Sequence, residues 1–187
     1  MDQHIFKHFQ KLIETTMVVG DTFSEPMALA TDKISQALLA GNTIFSCGDK
    51  AAALLAQLFT DYLAQGFEIE RPGFPALNIN RLVDNSFGAE RYAHCVQVQA
   101  QSADVLLVVS AGENSLALIT TVEAAIEKGM SIILLSGAND HLLSAALGYN
   151  DVIIPAAEFD GQLATAAQFQ IVQCLCALVD QQIFGGE

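Results

Sequence analysis

DVLLVVSAGENSLALITTVEAAIEKGMSIILLS, residues 104–136, carries the alternation that decides the fold. Its two ends, DVLLVVS (104–110) and SIILLS (131–136), are apolar on both faces, the pattern of strands covered from both sides. The stretch between them is amphipathic and long enough for a right-handed helical crossover between parallel strands. Working outward, three more runs have the same texture: TIFSC (43–47), PALNI (75–79) and DVIIP (151–155). Together they predict an α/β fold built on a five-stranded, mainly parallel, doubly wound sheet with helices on both faces. Upstream, apolar residues at three and four spacings (Ile5, Phe9, Leu12, Ile13, then Ile34, Ala37, Leu38) predict two helices. Ser24 with Pro26 reads as the N-cap of the second helix and Gly41 as its stop. Downstream, nothing between Gly161 and Phe184 breaks a helix, and Leu163, Phe169, Val172, Leu175, Leu178 and Val179 give it an apolar set.

The chain has 187 residues, which suits one compact domain, 1–187, with an N-terminal helical extension (1–40) and an α/β sandwich (41–187). Eight basic residues against 21 acidic ones give a net charge of −13, a field that repels nucleic-acid backbones and anionic lipid. Direct nucleic-acid and membrane binding are therefore not expected; a basic protein partner is favoured instead. The opening MDQHIFKHFQKL has no signal-peptide pattern and no apolar run approaches a membrane span, so a cytoplasmic location is expected. The four cysteines, Cys47, Cys95, Cys174 and Cys176, match no zinc spacing and read as reduced, buried thiols. His4 and His8 share a helix face without a third ligand, which favours a solvated or interfacial pair over a metal site. No cofactor is implied.

In open parallel sheets, ligands bind beyond the carboxyl ends of the strands. Three segments then matter: Cys47 to Lys50, Asn78 to Asp84, and Ser110 to Ser115. The strings SCGDKAAALLAQLFTDYL (46–63), ERPGFPAL (70–77), DVLLVVSAGENS (104–115), EAAIEKGMSIILLSG (123–137) and CLCALVD (174–180) together resemble SIS domains. The resemblance is to the branch of sedoheptulose 7-phosphate (phosphoheptose) isomerases and to its sister branch, the DnaA initiator-associating proteins. It implies a flavodoxin-like three-layer αβα fold, a homotetramer or dimer of dimers, and phosphosugar sites between subunits.

Carried over residue by residue, the site is altered. The family's first loop, C-G-N-G-G-S, reads here Cys47-Gly48-Asp49-Lys50-Ala51-Ala52, without the later glycines and the phosphate-binding serine. Lys50 adds a charge that Asp49 beside it is expected to offset. The third loop, S-T-S-G-N-S in the family, reads Ser110-Ala111-Gly112-Glu113-Asn114-Ser115, where a carboxylate on Glu113 costs a phosphate on the order of several kcal/mol unless it turns outward. The family's acid–base glutamate and histidine fall on Tyr62 and Gln168, an auxiliary histidine on Leu58, and a Gln-Glu pair on Thr165-Ala166. The segment between Asn80 and Asp104 is also shorter than in the family.

These changes lead to the expectation that no residue is catalytic, that the chain is not an enzyme, and that Gly48, Asp49, Ala52, Ser110, Asn114 and Ser115 form a vestigial phosphosugar site of weak affinity. Ser110 and Ser115 also read as helix N-caps. The terminal Ile183-Phe184 pair has nothing after it to cover it and resembles a Leu-Phe pair in the initiator-associating branch, which makes it the candidate contact for a DnaA-type initiator. The alternative reading is a phosphoheptose isomerase or a phosphosugar-binding regulatory module.

Overall fold

The computed structural model describes residues 2–83, 85–156, 159 and 161–185. Helices α1 (Asp2–Thr22) and α2 (Ser24–Leu39) come first. Then follow β1 (Ile44–Gly48), α3 (Ala52–Gln65), β2 (Ala76–Asn78), α4 (Ile79–Leu82), a 3-10 segment (Asn85–Glu90) and α5 (Arg91–Gln99). The chain continues through β3 (Val105–Val109), α6 (Leu116–Lys128), β4 (Ser131–Ser136), α7 (His141–Ala146), β5 (Val152–Pro155) and α8 (Gly161–Phe184). The five strands lie in the order β2-β1-β3-β4-β5, every pair parallel. This is the flavodoxin-like order, with its switch point between β1 and β3.

The double-sided strands explain the layers. In β3, Val105, Leu107 and Val109 join a core with residues of α2, α3 and α8, whereas Leu106 and Val108 join a second core with residues of α5, α6 and α7. β4 divides the same way, Ile133 and Leu135 against Ile132 and Leu134. Each such fully buried side chain stabilises the fold by about 1.5–3 kcal/mol. Carboxylates tie the amino ends of the strands: Asp104 accepts the Thr43 and Gln101 amides at 2.8 and 2.7 Å, and Asp151 accepts those of Ile132 and Gly148 at 2.9 and 2.8 Å.

Three local expectations need correction. The cap position of α2 falls on Phe23, not Ser24, and no side chain caps it. PALNI is a strand only over Ala76–Asn78, because β2 is an edge strand and Ile79 already opens α4. Ser115 does stand at the N-cap of α6, but its hydroxyl makes no capping bond, and the Ser110 hydroxyl accepts the Gly112 amide at 3.1 Å. Helix α8 is long and apolar enough to cross a membrane by length and composition, yet Ala167, Ile171, Val172, Leu175, Cys176 and Val179 bury one of its faces in the core.

Candidate functional site

The carboxyl ends of β1, β3 and β4 meet the start of α8 around a cavity of about 70 Å³, lined among others by Ala52, Ser110, Ala111, Gly137, Phe159 and Gln168. Backbone meets backbone here. Gly112 has φ +90°, and a Cβ on Gly137 would lie 2.5 Å from Gly112 Cα, so only glycine lets the third loop settle on the loop after β4.

Four amides at this end of the sheet, those of Gly48, Ala111, Asn114 and Gly137, are engaged by the protein's own side chains. The Gly48 amide donates to Asn80 Oδ1 at 3.0 Å, while Asn80 Nδ2 donates to the Gly48 carbonyl at 2.8 Å and to the Tyr92 hydroxyl at 2.7 Å. Ala111 donates to Asp49 Oδ1 at 2.8 Å, and Asn114 to the buried Asp140 at 3.4 Å. Asp140 also accepts the Gly137 amide at 2.6 Å. A ligand phosphate would have to displace these carboxylate and amide acceptors before it reached the same donors.

Charge is arranged differently from the expectation. Lys50 does not pair with Asp49 but with Glu113, so the first and third loops are bridged by an exposed ion pair and the Glu113 carboxylate does turn outward. Such a pair contributes about 0–1 kcal/mol. Asp49 is half-buried, and desolvation pushes its carboxyl above the ordinary value of 3.8, with the nearby charges of Asp140 and Glu113 acting the same way and the Ala111 amide opposing.

The remaining candidates scatter. Gln168 is 2% exposed and its Nε2 donates to the Ser110 carbonyl at 2.8 Å, which ties α8 to the end of β3. Asn114 bridges to α7, its Oδ1 accepting the Leu142 amide at 3.0 Å and its Nδ2 facing the His141 ring at 3.4 Å. Tyr62 and Leu58 are not among the residues lining the cavity, and Tyr62 packs on Phe67 with ring centroids 4.6 Å apart. Ile183 is packed against the core, while Phe184 is 46% exposed and stacks on Phe74 at 5.8 Å.

Sequence reasoning missed what holds that terminus. Arg71 Nε donates to Asp180 Oδ1 at 2.6 Å with both side chains almost wholly buried, Arg71 Nη1 donates to the Leu63 carbonyl at 2.9 Å, and the guanidinium sits 4.0 Å from the Phe74 ring centroid. The signal was present: an arginine in ERPG and an aspartate ending CLCALVD, both quoted only for their resemblance.

Fold, strand order and the loops at the carboxyl ends define a doubly wound, flavodoxin-like α/β protein. A family model described as "SIS domain" matches residues 7–137, and the chain belongs to the SIS-domain family. A DnaA initiator-associating protein from Yersinia pestis is 32% identical over 183 residues, 94% of this chain and 93% of that one. A phosphoheptose isomerase from Alkalilimnicola ehrlichii is also 32% identical, over 189 residues, 97% and 96% of the two chains. Among solved structures, a phosphoheptose isomerase from Francisella tularensis superposes with a TM-score of 0.88 at 26% identity, over 96% of this chain and 97% of that one. One from Neisseria gonorrhoeae gives 0.86 at 21% identity, over 96% and 98%.

These similarities overturn the expectation that the chain is not an enzyme. A relative named as an isomerase is as similar to it as one named as initiator-associating, and the two structures that superpose at 0.88 and 0.86 are both named as phosphoheptose isomerases. The expectation rested on the residues at Tyr62 and Gln168 alone, and a relative named as an isomerase at 32% identity outweighs it.

Proposed function

We propose that the chain associates with a DnaA-type replication initiator, as the name of its initiator-associating relatives states of them, and that it promotes initiation by doing so. The observation that carries this reading is Phe184: the last turn of α8 ends on an aromatic ring that is 46% exposed, stacked on Phe74 and held by the buried Arg71–Asp180 pair. Exposed aromatics on rigid supports are the residues that dominate protein interfaces.

A second copy of the chain is a further partner. On α1, Ile5, Phe9, Ile13 and Met17 recur every four residues and, with Phe6, are 52–70% exposed. Such a stripe needs a cover, and a second copy supplies it in the homotetramer or dimer of dimers that the resemblance implies. A tetramer would present several initiator sites at once and raise their effective concentration. We also keep Gly48, Asp49, Ala52, Ser110, Asn114 and Ser115 as a phosphosugar site of weak affinity, within one domain spanning 1–187.

The second reading, isomerisation of sedoheptulose 7-phosphate, is favoured by the isomerase relative and by the superposition at a TM-score of 0.88. One preparation tests both. Capture of purified DnaA on the immobilised chain supports the first; turnover of sedoheptulose 7-phosphate, lost in Asp49→Asn, with no DnaA captured, replaces it by the second.

A further inference from the structure

Leu178 and Gln181 stand three residues apart on α8, one turn on the same face, and form a ridge between two hollows. The hollow on one side, about 230 Å³, is walled by Glu68, Ile69, Cys174 and Ala177. Its counterpart on the other side, also about 230 Å³, is walled by Ala28, Thr31, Asp32 and Gln182 of α2 and α8. Both lie away from the cavity at the strand ends and run into the last turn, where Ile183 and Phe184 follow. The floor is fixed from below: Gln182 Nε2 donates to Asp32 at 2.8 Å, and Asp180 locks Arg71.

Apolar walls and an acidic rim together describe the occupant. Ile69, Ala177, Leu178 and Ala28 offer room for apolar side chains, whereas Glu68 and Asp32 at the rim are exposed. Of the cations in these segments, Arg71 is consumed by Asp180, with side chains 1% and 2% exposed, and Lys33 stands about 100° around α2 from Asp32. The chain as a whole carries −13. A helix with apolar side chains one turn apart, flanked by lysine or arginine, meets every one of these features.

We propose that the Leu178–Gln181 ridge and its two hollows dock a basic amphipathic helix of the partner protein, extending the contact that begins at Phe184. The proposal rests on the initiator-binding reading above and takes the initiator as the source of that helix. The ridge orients the helix, the hollows receive its apolar side chains, and the acidic rim speeds the encounter.

The test is a calorimetric titration of purified DnaA into the full-length chain and two variants. Glu68→Lys changes one exposed position and is expected to weaken binding several-fold at low salt, with solution mass and Tm unchanged. Ala177→Gln, which fills one hollow, is expected to weaken it at any salt concentration. If the wild type binds and neither variant differs from it, the groove is wrong and the initiator reading stands. If the wild type does not bind, both fall. A variant that changes the solution mass of the assembly assigns the ridge to a second copy and overturns the proposal.

Discussion

At the scale of single residues, Asp49 and Arg71 show how far side-chain identity speaks for itself. Asp49 was visible as a carboxylate in a phosphate loop, but its direction was not: it accepts the Ala111 amide and leaves Lys50 to Glu113. Its raised pKa has a definite consequence for stability. The folded state holds the proton more tightly than the unfolded one, so the contribution of Asp49 is full below pH 3.8 and is lost as pH rises through the folded-state value. Asp49→Asn keeps the acceptor and removes the ionisation. Its Tm relative to the wild type should rise as pH increases from 3.8, measured by thermal melts across pH; a difference that stays flat contradicts the assignment. Glu113→Gly restores the glycine of the family loop and frees Lys50. Sedoheptulose 7-phosphate should raise the Tm of this variant more than that of the wild type, in a thermal-shift titration.

Among the elements, strands were easier to read than caps. A strand buried on both faces must be apolar at every position, which makes VLLVV and SIILLS unmistakable, whereas the edge strand β2 is short and its run blurs into α4. What holds the end of α8 was not legible, because Arg71 and Asp180 are 109 residues apart and only the fold brings them within 2.6 Å. Breaking this buried pair leaves an uncompensated charge, so Arg71→Met should destabilise the fold by about 3–5 kcal/mol in chemical denaturation. A loss within about 1 kcal/mol, the size of an exposed pair, would mean that the pair does not anchor the helix. Asp104→Ala, which orphans the Thr43 and Gln101 amides between β1 and β3, should cost about 1–3 kcal/mol by the same measurement.

For the whole molecule, the alternation of strands and helices was enough to reach the three-layer fold, and the ordered motifs were enough to reach the family. Activity was not legible in the same way. It depends on which groups converge and how burial changes them, and here an isomerase and an initiator-associating protein are equally similar to the chain. The surface of the folded chain carries an exposed apolar stripe on α1 and, on the last turn of α8, a half-exposed aromatic ring stacked on Phe74. The most direct test is the affinity of purified DnaA for the wild type and for Phe184→Ala. Specific binding by the wild type, weakened at least about tenfold in the variant with its solution mass and melting behaviour unchanged, is the predicted result. Equal binding by the two, or none by either, contradicts the account.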